Sequence, residues 1–535
     1  MLADSPFCTP GSPLSPMSLE TELKLELHPQ DLPRLLAHPL LTQQAPRRER
    51  LLNTYFDTST LALRAQRMAV RERRVGRRTL LTVKTAGTSV GGLSRRGEWE
   101  ATTRPGAFDF AALVDDEALA QQLIRVAWQL VPVFRTDFTR RTWLITHGGA
   151  QVEVALDQGF IATGSLRQPI LELELELLSG SVDALLDLAH TLALGPKGRA
   201  TEGLRLLPAN RSKAERGYAL FMGERAQPQK ATPLQLDPGM HPVQAFRAAA
   251  LGCLAHLQAN EGGVCQHGPD GAPPDPEFVH QARVALRRLR TGLRLFQPHL
   301  PMRFARHWAG EWKRLANELG DARNWDVFAT EWLPGLLAEL PTNSTSTDQM
   351  DALLAWVSTE RQAACERADH ALSDSAHALR LLAFTRAVLS LQPADPPAGS
   401  PWPDEGLARW AHDTLRKGHA GLRREARQAR RLGPEGRHEL RIALKKLRYS
   451  QEFLGSLLPA KGLARSAAAL SDAQALLGGL NDLSTAQGLL AHAPATLAPS
   501  VVAGLQAGLQ QRLDTGLQAL PAMEEALEQT STPWR

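Results

Sequence analysis

Acidic and basic side chains recur at every second position in several short stretches of this chain, and that spacing is where its chemistry begins. Glu20, Glu22, Lys24 and Glu26 alternate with Leu19, Leu23, Leu25 and Leu27. Read with period two, the charges share one face of a strand and the leucines occupy the other. One such strand alone would be an ordinary half-exposed strand. The pattern returns at Glu172, Glu174 and Glu176, in shorter form at Glu98 and Glu100, and on the run carrying Glu153 and Asp157. Carboxylates on four strands of one small region repel one another unless cations lie between them. Basic residues interleave on similar stretches: Arg71 and Arg73, Lys84, Arg96 and Arg140. Buried charge of this density is costly unless paired or metal-bound. The economical arrangement is a closed or nearly closed sheet with a charged interior that holds a divalent metal and a polyanion. Carboxylate oxygens suit Mg²⁺ or Mn²⁺, and Arg and Lys neutralise phosphate groups. No Ser/His/Asp or Cys/His nucleophile pattern is evident.

The elements that must position these residues follow from periodicity and punctuation. Segments 69–73 and 80–84 form a hairpin about Gly76-Arg77-Arg78, and a glycine-rich stretch from Gly87 to Gly92 leads into Arg96, Glu98 and Glu100. Residues 110–130 have a helical pattern, two strands follow at 133–146 and 151–157, and a helix is expected over 182–194. Arg77, Arg78 and Arg95 read as solvated loop charge. Glu72 falls on the face opposite Arg71 and Arg73, as an external ion-pair partner.

Together, the Glu-x-Glu-x-Lys start, the Arg71-x-Arg73 strand, Thr82-Val83-Lys84, the strand of Glu172, Glu174 and Glu176, and a closing Ser212-Lys213-Ala214-Glu215-Arg216-Gly217-Tyr218 resemble the CYTH family of triphosphate tunnel metalloenzymes. The resemblance implies an antiparallel β-tunnel, a closed barrel-like sheet with flanking helices. It implies Glu20, Glu22, Asp157, Glu174 and Glu176 as ligands of Mg²⁺ or Mn²⁺. Lys24, Arg71, Arg73, Lys84, Arg96, Arg140 and Lys213 would grip the triphosphate, with Glu20, Glu22, Lys24, Lys84 and Arg140 central to catalysis. Glu98, Glu100, Glu153 and Glu172 would face the tunnel. Some tunnel enzymes carry a further lysine two residues before the position of Arg140, where this chain has Phe138.

From His241 onward alternation gives way to helical periodicity rich in Ala, Leu and Arg. This half contains an internal repeat. His280, Arg283, Arg287 and Arg290 match His438, Arg441, Lys445 and Arg448, with identical steps of three, four and three that place each set on one helical face. Arg294 extends the first stripe, and Ala282, Leu286, Leu289 and Leu293 form the apolar stripe beside it. A second pair of blocks corresponds, from Leu319 to Asp326 and from Leu477 to Leu483. This half resembles the CHAD domain, a helical domain often found after CYTH, and the resemblance implies polyphosphate binding by the two stripes. Between Arg416 and Arg448 lie 12 basic residues against three acids. Aromatic residues are scarce among them, which disfavours stacking on nucleic-acid bases. Arginines three and four residues from His280 and His438 would repel a cation, so those histidines read as phosphate contacts or structural groups.

The expected organisation is a multidomain α+β then all-α chain. A tail covers 1–16, the tunnel domain 17–222 and a linker 223–240. The helical domain covers 241–520, in halves of about 241–391 and 404–520, with a C-terminal tail at 521–535. The 535 residues carry 61 Lys plus Arg and 56 Asp plus Glu, so the excess charge is modest and its clustering matters more than its sum. Four scattered cysteines suggest neither a disulfide framework nor a zinc site. No apolar run is long enough to span a bilayer, and residues 1–16 lack the pattern of a secretion signal. The expectation is a cytoplasmic protein with inorganic triphosphate and polyphosphate as its partners, polyphosphate granules as a place of association, and neither membrane nor nucleic acid. Organic triphosphate hydrolysis, adenylate cyclisation and non-catalytic polyphosphate binding are the rival readings.

Overall fold

The computed structural model describes residues 18–85, 87–267, 272–340, 346–393, 406–427, 433–529 and 532. The expected tail at 1–16 and most of the expected break at 392–403 lie outside the described residues, as does the side chain of Arg96. The chain divides into two compact units. One comprises residues up to Ala226 together with Ser373–Leu389, and the other the remainder.

The first unit is built on ten strands: β1 (Ser18–Leu27), β2 (Arg47–Asp57), β3 (Ala69–Val75), β4 (Arg78–Lys84), β5 (Thr88–Val90), β6 (Leu93–Thr103), β7 (Val131–His147), β8 (Ala150–Thr163), β9 (Leu166–Ser179) and β10 (Leu206–Pro208). All pairings are antiparallel, in the order β10-β1-β9-β8-β7-β2-β3-β4-β6-β5. The first half of β1 also pairs with β6, Ser18 opposite Glu98 through Leu23 opposite Leu93. That pairing closes the curled sheet on itself, so β1 has no free edge along its first half.

Alternation then sorts side chains between the two surfaces of the closed sheet. The outward leucines and valines of β1, β8 and β9 (Leu23, Leu25, Val152, Val154, Leu156, Leu173 and Leu175) are buried under the helix Val182–Ala193. On another wall, Val70, Leu81, Val83 and Trp99 are covered by Phe110, Leu113 and Leu123. The hydrophobic core thus lies outside the barrel, and the lumen is left for polar groups. A third apolar group, with Phe134, Phe138, Ile161 and Ile170, gathers around Tyr218 on the helix Lys213–Met222. Here Gly217 is required, because a Cβ would lie 2.1 Å from the Phe134 ring.

The helix Ser375–Leu389 belongs to this unit, although sequence periodicity groups it with the helical half. Leu379 and Leu382 join the core beneath β1 and β9. Arg386 pairs with Asp183 at 2.8 Å through Nε and through Nη2, and with Asp187.

The second unit is helical, as its periodicity requires. Its longer helices are Pro242–Glu261, Pro276–Leu295, Met302–Val327, Thr347–Ser373, Gly406–Ala426, Pro434–Leu454, Ala460–Leu490 and Pro499–Gln518. Proline opens several of them at a position where a missing N–H costs nothing. Ala282, Leu286, Leu289 and Leu293 are buried, as their stripe demands. The segment expected as a C-terminal tail instead forms a helix, Leu520–Gln529, because Leu520, Met523 and Leu527 recur at helical spacing and are buried. No helix among the described residues is long and apolar enough to cross a membrane.

Asp57, fully buried at the end of β2, fixes the connection to β3. Its carboxylate accepts from the backbone N–H of Thr58 (2.7 Å), Leu63 (2.9 Å) and Arg64 (2.9 Å) and from the Tyr218 hydroxyl (2.9 Å). Asp57→Ala leaves these donors unmet in a dry site. It should lower stability by about 3 kcal/mol or more, read as a fall in the midpoint of thermal or urea unfolding.

Candidate active site

Strand register decides what faces what inside the barrel. Glu22 on β1 lies opposite Glu176 on β9, and Glu176 lies opposite Glu153 on β8, so three carboxylates stand abreast on three neighbouring strands. The next row holds Lys24, Glu174 and Ala155, and beyond it Glu172 faces Asp157, which faces Arg140. Opposite charges in cross-strand pairs stabilise a sheet, and like charges directly opposite destabilise it. The lumen therefore has two regions of different character, which share a cavity of about 1300 Å³.

The first region is saturated with internal ion pairs. Arg140 grips Asp157 with two hydrogen bonds (2.8 and 2.7 Å) and reaches Glu174. Lys213, the first residue of its helix, contacts Asp157 (2.7 Å), Glu174 (2.8 Å) and Glu172. Lys24 lies 3.2 Å from Glu174, and Arg216 donates to Glu172 at 2.8 Å. Burial opposes the charge on Glu174, but Lys213, Lys24 and Arg140 overcome it and hold the carboxyl well below its ordinary range. The same acids hold Lys213 and Arg140 charged against burial. Asp157, Glu172 and Glu174 approach closely enough to surround a metal ion. Their charge is already met by four cationic side chains, however, and a divalent ion there would sit against Lys213 and Arg140.

In the second region Lys24 lies 3.5 Å from Glu22, and the acids are less densely paired than in the first. Among the described residues, neither Glu176 nor Glu153 has an ion pair. Burial, reinforced by Glu153 and Glu22, pushes the Glu176 carboxyl up to about 7. Glu20 is pushed up to about 8 by burial, with Lys84 opposing and Glu98 and Glu22 adding to the rise. Lys84 bridges Glu20 (3.3 Å) and Glu98. Acids this crowded and dry form a hard-oxygen donor set, and Glu20, Glu22 and Glu176 fit a divalent cation better than the saturated cluster does.

A basic wall completes the cavity. Arg71 lies 3.5 Å from Glu98 and 3.9 Å from Glu100, and Arg73 lies 3.7 Å from Glu100 and donates to Asn53. Burial and the neighbouring Arg71 push Arg73 down to about 10. Anionic substrate would relieve that repulsion. Phe138, two residues before Arg140, is buried, and its ring carries Lys213 at 5.0 Å and Arg140 at 5.9 Å.

The cavity lining thus includes Glu20, Glu22, Lys24, Arg71, Arg73, Lys84, Arg140, Glu174, Glu176 and Lys213. Asp157, fully buried, stands behind Arg140 and Lys213. Arg96 is opposite Glu20 in the β1–β6 register. Glu26 is exposed, and Glu72 points outside, accepting from the Gly106 N–H at 2.6 Å. Residues missed by sequence reasoning include Tyr55, Arg64, Arg67 and Asn210, which also line the cavity. Tyr55 lies on the inward register of β2 opposite Arg71, a signal that only strand pairing reveals.

In the helical unit the two repeat helices, Pro276–Leu295 and Pro434–Leu454, line one cleft of about 470 Å³. It gathers His280, Arg283, Arg287, Arg290, His438, Arg441 and Lys445, with Arg294 and Lys446 from the same helices. Arg448 departs from the expected set. It lies outside the cleft lining, donating to Gln474 at 2.8 Å and stacking over Tyr449. Arg323 and Asn324, from the block after Leu319, and Asn481 and Asp482, from its repeat, complete the lining. Asp482 is its one carboxylate among the described residues, 3.7 Å from Arg441. Burial and the surrounding arginines push Lys445 down to about 6 and His280 to about 4.

Residues 18–203 match the CYTH domain family, and residues 248–491 match the CHAD domain family. The chain carries a CYTH domain followed by a CHAD domain. Over 211 residues it is 36% identical to an inorganic triphosphatase of Haemophilus influenzae, a match covering 38% of this chain and 55% of that protein. The chain thus spans about half the length of that curated relative. The CHAD domain from the plant Ricinus communis aligns with 57% of this chain and 98% of its own at 28% identity and a TM-score of 0.47. A putative adenylyl cyclase from Hippeastrum, described as having a dominant triphosphatase activity, aligns over 39% of this chain and 98% of its own at 17% identity and a TM-score of 0.29.

The acid row of the CYTH domain gives a signed pH dependence. Glu20 and Glu176 keep protons in the folded state that an unfolded chain, with carboxyls near 4.5, has released. Stability of the metal-free protein should therefore fall as pH rises from the ordinary carboxylate range to about 8. Metal competes with those protons, so the rise in thermal midpoint caused by Mg²⁺ or Mn²⁺ should be larger at about pH 8.5 than at about pH 6.

Proposed function

We propose that the CYTH domain hydrolyses inorganic triphosphate to pyrophosphate and phosphate with the aid of Mg²⁺ or Mn²⁺. The observation that carries this reading is one lumen in which Glu22, Glu176 and Glu153 stand abreast on neighbouring strands and share a cavity with Arg71, Arg73, Arg140, Lys84 and Lys213. Glu20, Glu22 and Glu176 would hold the metal, which when bound supplies Lewis-acid stabilisation of phosphate oxygens and a more acidic water. Lys24, Arg71, Arg73, Lys84, Arg140 and Lys213 bind and neutralise the phosphate chain and stabilise charge on the transferring group. Asp157 and Glu174, which the family resemblance places among the metal ligands, are read here as anchors that hold Arg140 and Lys213 extended. The preference for an inorganic substrate rests on a lining of charges. Organic triphosphates and cyclisation of ATP are the alternatives an assay distinguishes.

For the CHAD domain we propose polyphosphate binding in the cleft between the repeat helices, where seven Arg and Lys side chains of those helices, with Arg323, outnumber Asp482. Such a cleft is dominated by positive charge and has no Phe, Tyr or Trp among its described lining residues on which a base could stack, which suits a linear phosphate polymer. A cytoplasmic location with recruitment to polyphosphate granules fits that role. The catalytic part is taken as residues 17–222 together with Ser375–Leu389.

The decisive assay is phosphate release from inorganic triphosphate, ATP and thiamine triphosphate with Mg²⁺, Mn²⁺ or a chelator. Metal-dependent preference for inorganic triphosphate is expected. Release from none of them, with polyphosphate still bound, would leave a binding protein. Glu22→Gln should lower kcat/KM by about a hundredfold or more while the protein stays folded. Combined reversal of Arg283, Arg287 and Arg441 to Glu should weaken polyphosphate binding and flatten its salt dependence, as fewer counterions are released. Triphosphate hydrolysis should be retained in that variant.

A further inference from the structure

The connection between β2 and β3 is more elaborate than a link between neighbouring strands requires. A single helical turn, Ala62–Ala65, is bracketed by Leu61 at φ 56° and Arg67 at φ 57°, two non-glycine residues in the left-handed region. L side chains rarely adopt that conformation, and glycine would hold it without steric conflict. The turn persists because other groups determine it. Asp57 accepts from the N–H groups of Leu63 and Arg64, Arg67 N–H donates to the Arg64 carbonyl at 2.8 Å, and Met68 N–H to that of Leu63 at 2.9 Å.

The product of this arrangement is a pair of guanidinium groups. Arg64 is half-buried and tied to Glu224 at 2.6 Å, while Arg67 is exposed to solvent. Both line the cavity that holds Arg71 and Arg73. A residue that is at once solvent-exposed and part of a cavity wall stands at an opening. Arg64 and Arg67 thus add two guanidinium groups to the lining that also carries Arg71 and Arg73, and Arg67 brings that lining to bulk water. Met68, delivered by the same turn, also borders the cavity but is buried, so Arg67 is the exposed group of this turn in the lining. The Tyr218 hydroxyl, which also lines this part of the cavity, is already engaged by Asp57.

We propose that Arg64 and Arg67 form an additional phosphate subsite at the opening, which holds phosphoryl groups beyond the third and lets the tunnel take linear polyphosphates longer than triphosphate. This inference rests on the reading of the tunnel as a triphosphatase and extends its substrate class. A chain of four phosphates engages the subsite with its terminal group, whereas triphosphate is held by the inner cations. At an exposed opening the attraction is partly screened, so the subsite tunes chain-length preference rather than turnover itself.

The test uses the full chain and initial rates of phosphate release from inorganic triphosphate and linear tetraphosphate, with Mg²⁺ or Mn²⁺ at fixed ionic strength. Arg67→Asn removes the charge while keeping a residue that tolerates the left-handed conformation, and Arg67→Lys retains the charge. In Arg67→Asn the ratio of kcat/KM for tetraphosphate over triphosphate should fall about fivefold. Arg67→Lys should keep most of the ratio, and raising the salt should narrow the gap between wild type and Arg67→Asn. Arg64→Gln, followed together with its thermal midpoint, should move the ratio in the same direction. An unchanged ratio in Arg67→Asn, with triphosphate hydrolysed normally by the wild type, would overturn the subsite and leave the triphosphatase reading intact. Equal losses on both substrates in Arg67→Asn and Arg67→Lys would also overturn it, as the mark of a structural role. Failure of the wild type to release phosphate from either substrate would remove the triphosphatase reading and this inference with it.

Discussion

Like charges held abreast by hydrogen-bonded register are the constraint on which the CYTH domain depends. Glu22, Glu176 and Glu153 cannot move apart without unpairing β1, β9 and β8, and those strands are fixed by the apolar core on their outer faces. A one-residue slip would turn the leucines of β1 into the lumen and its acids into the core, so the hydrophobic exterior enforces the electrostatic interior. Lys24, 3.5 Å from Glu22, offsets part of the repulsion, while burial and the neighbouring acids still push Glu176 up to about 7.

The neighbouring cluster shows the opposite solution. Asp157, Glu172 and Glu174 lie as close together as metal ligands, yet Lys24, Arg140, Lys213 and Arg216 meet them. Proximity of carboxylates here thus goes with dense internal pairing. The saturated cluster has another use, since buried ion pairs with several hydrogen bonds fix long side chains in one geometry. Arg140 and Lys213 are held extended before any substrate arrives. Preorganised charge of this kind requires little rearrangement when negative charge develops on a phosphoryl group.

Much of this was legible in the sequence because period two is a strong signal when both faces are unambiguous. The strands of Glu20 to Lys24 and Glu172 to Glu176, the Arg71–Lys84 hairpin and the repeat of His280 and His438 needed only counting. Register was not legible, because it depends on partners distant in the chain. That is why Tyr55 was missed and why the dense ion pairing of Asp157 and Glu174 could not be foreseen. Arg448 falls out of the cleft although its spacing matches Arg290. Helical steps place a residue on a face, but the packing partner decides how much of that face is used, and here Gln474 and Tyr449 take it. Arg323 and Asn324 could be noted as a repeated block but not assigned to the cleft, since their helix meets it only in three dimensions.

The helix Ser375–Leu389 gives the N-terminal unit an unusual history on the ribosome. Strands β1 to β10 emerge early, but the helix that covers part of their outer face with Leu379 and Leu382 is made only after on the order of 150 further residues, roughly ten seconds or more at cellular rates of synthesis. During that interval the apolar core that Leu379 and Leu382 join is covered only by the helix Val182–Ala193 and its other neighbours, a natural target for a chaperone. The outer core of the N-terminal unit is therefore completed by a segment made after much of the helical half, so the two units mature in an interleaved order.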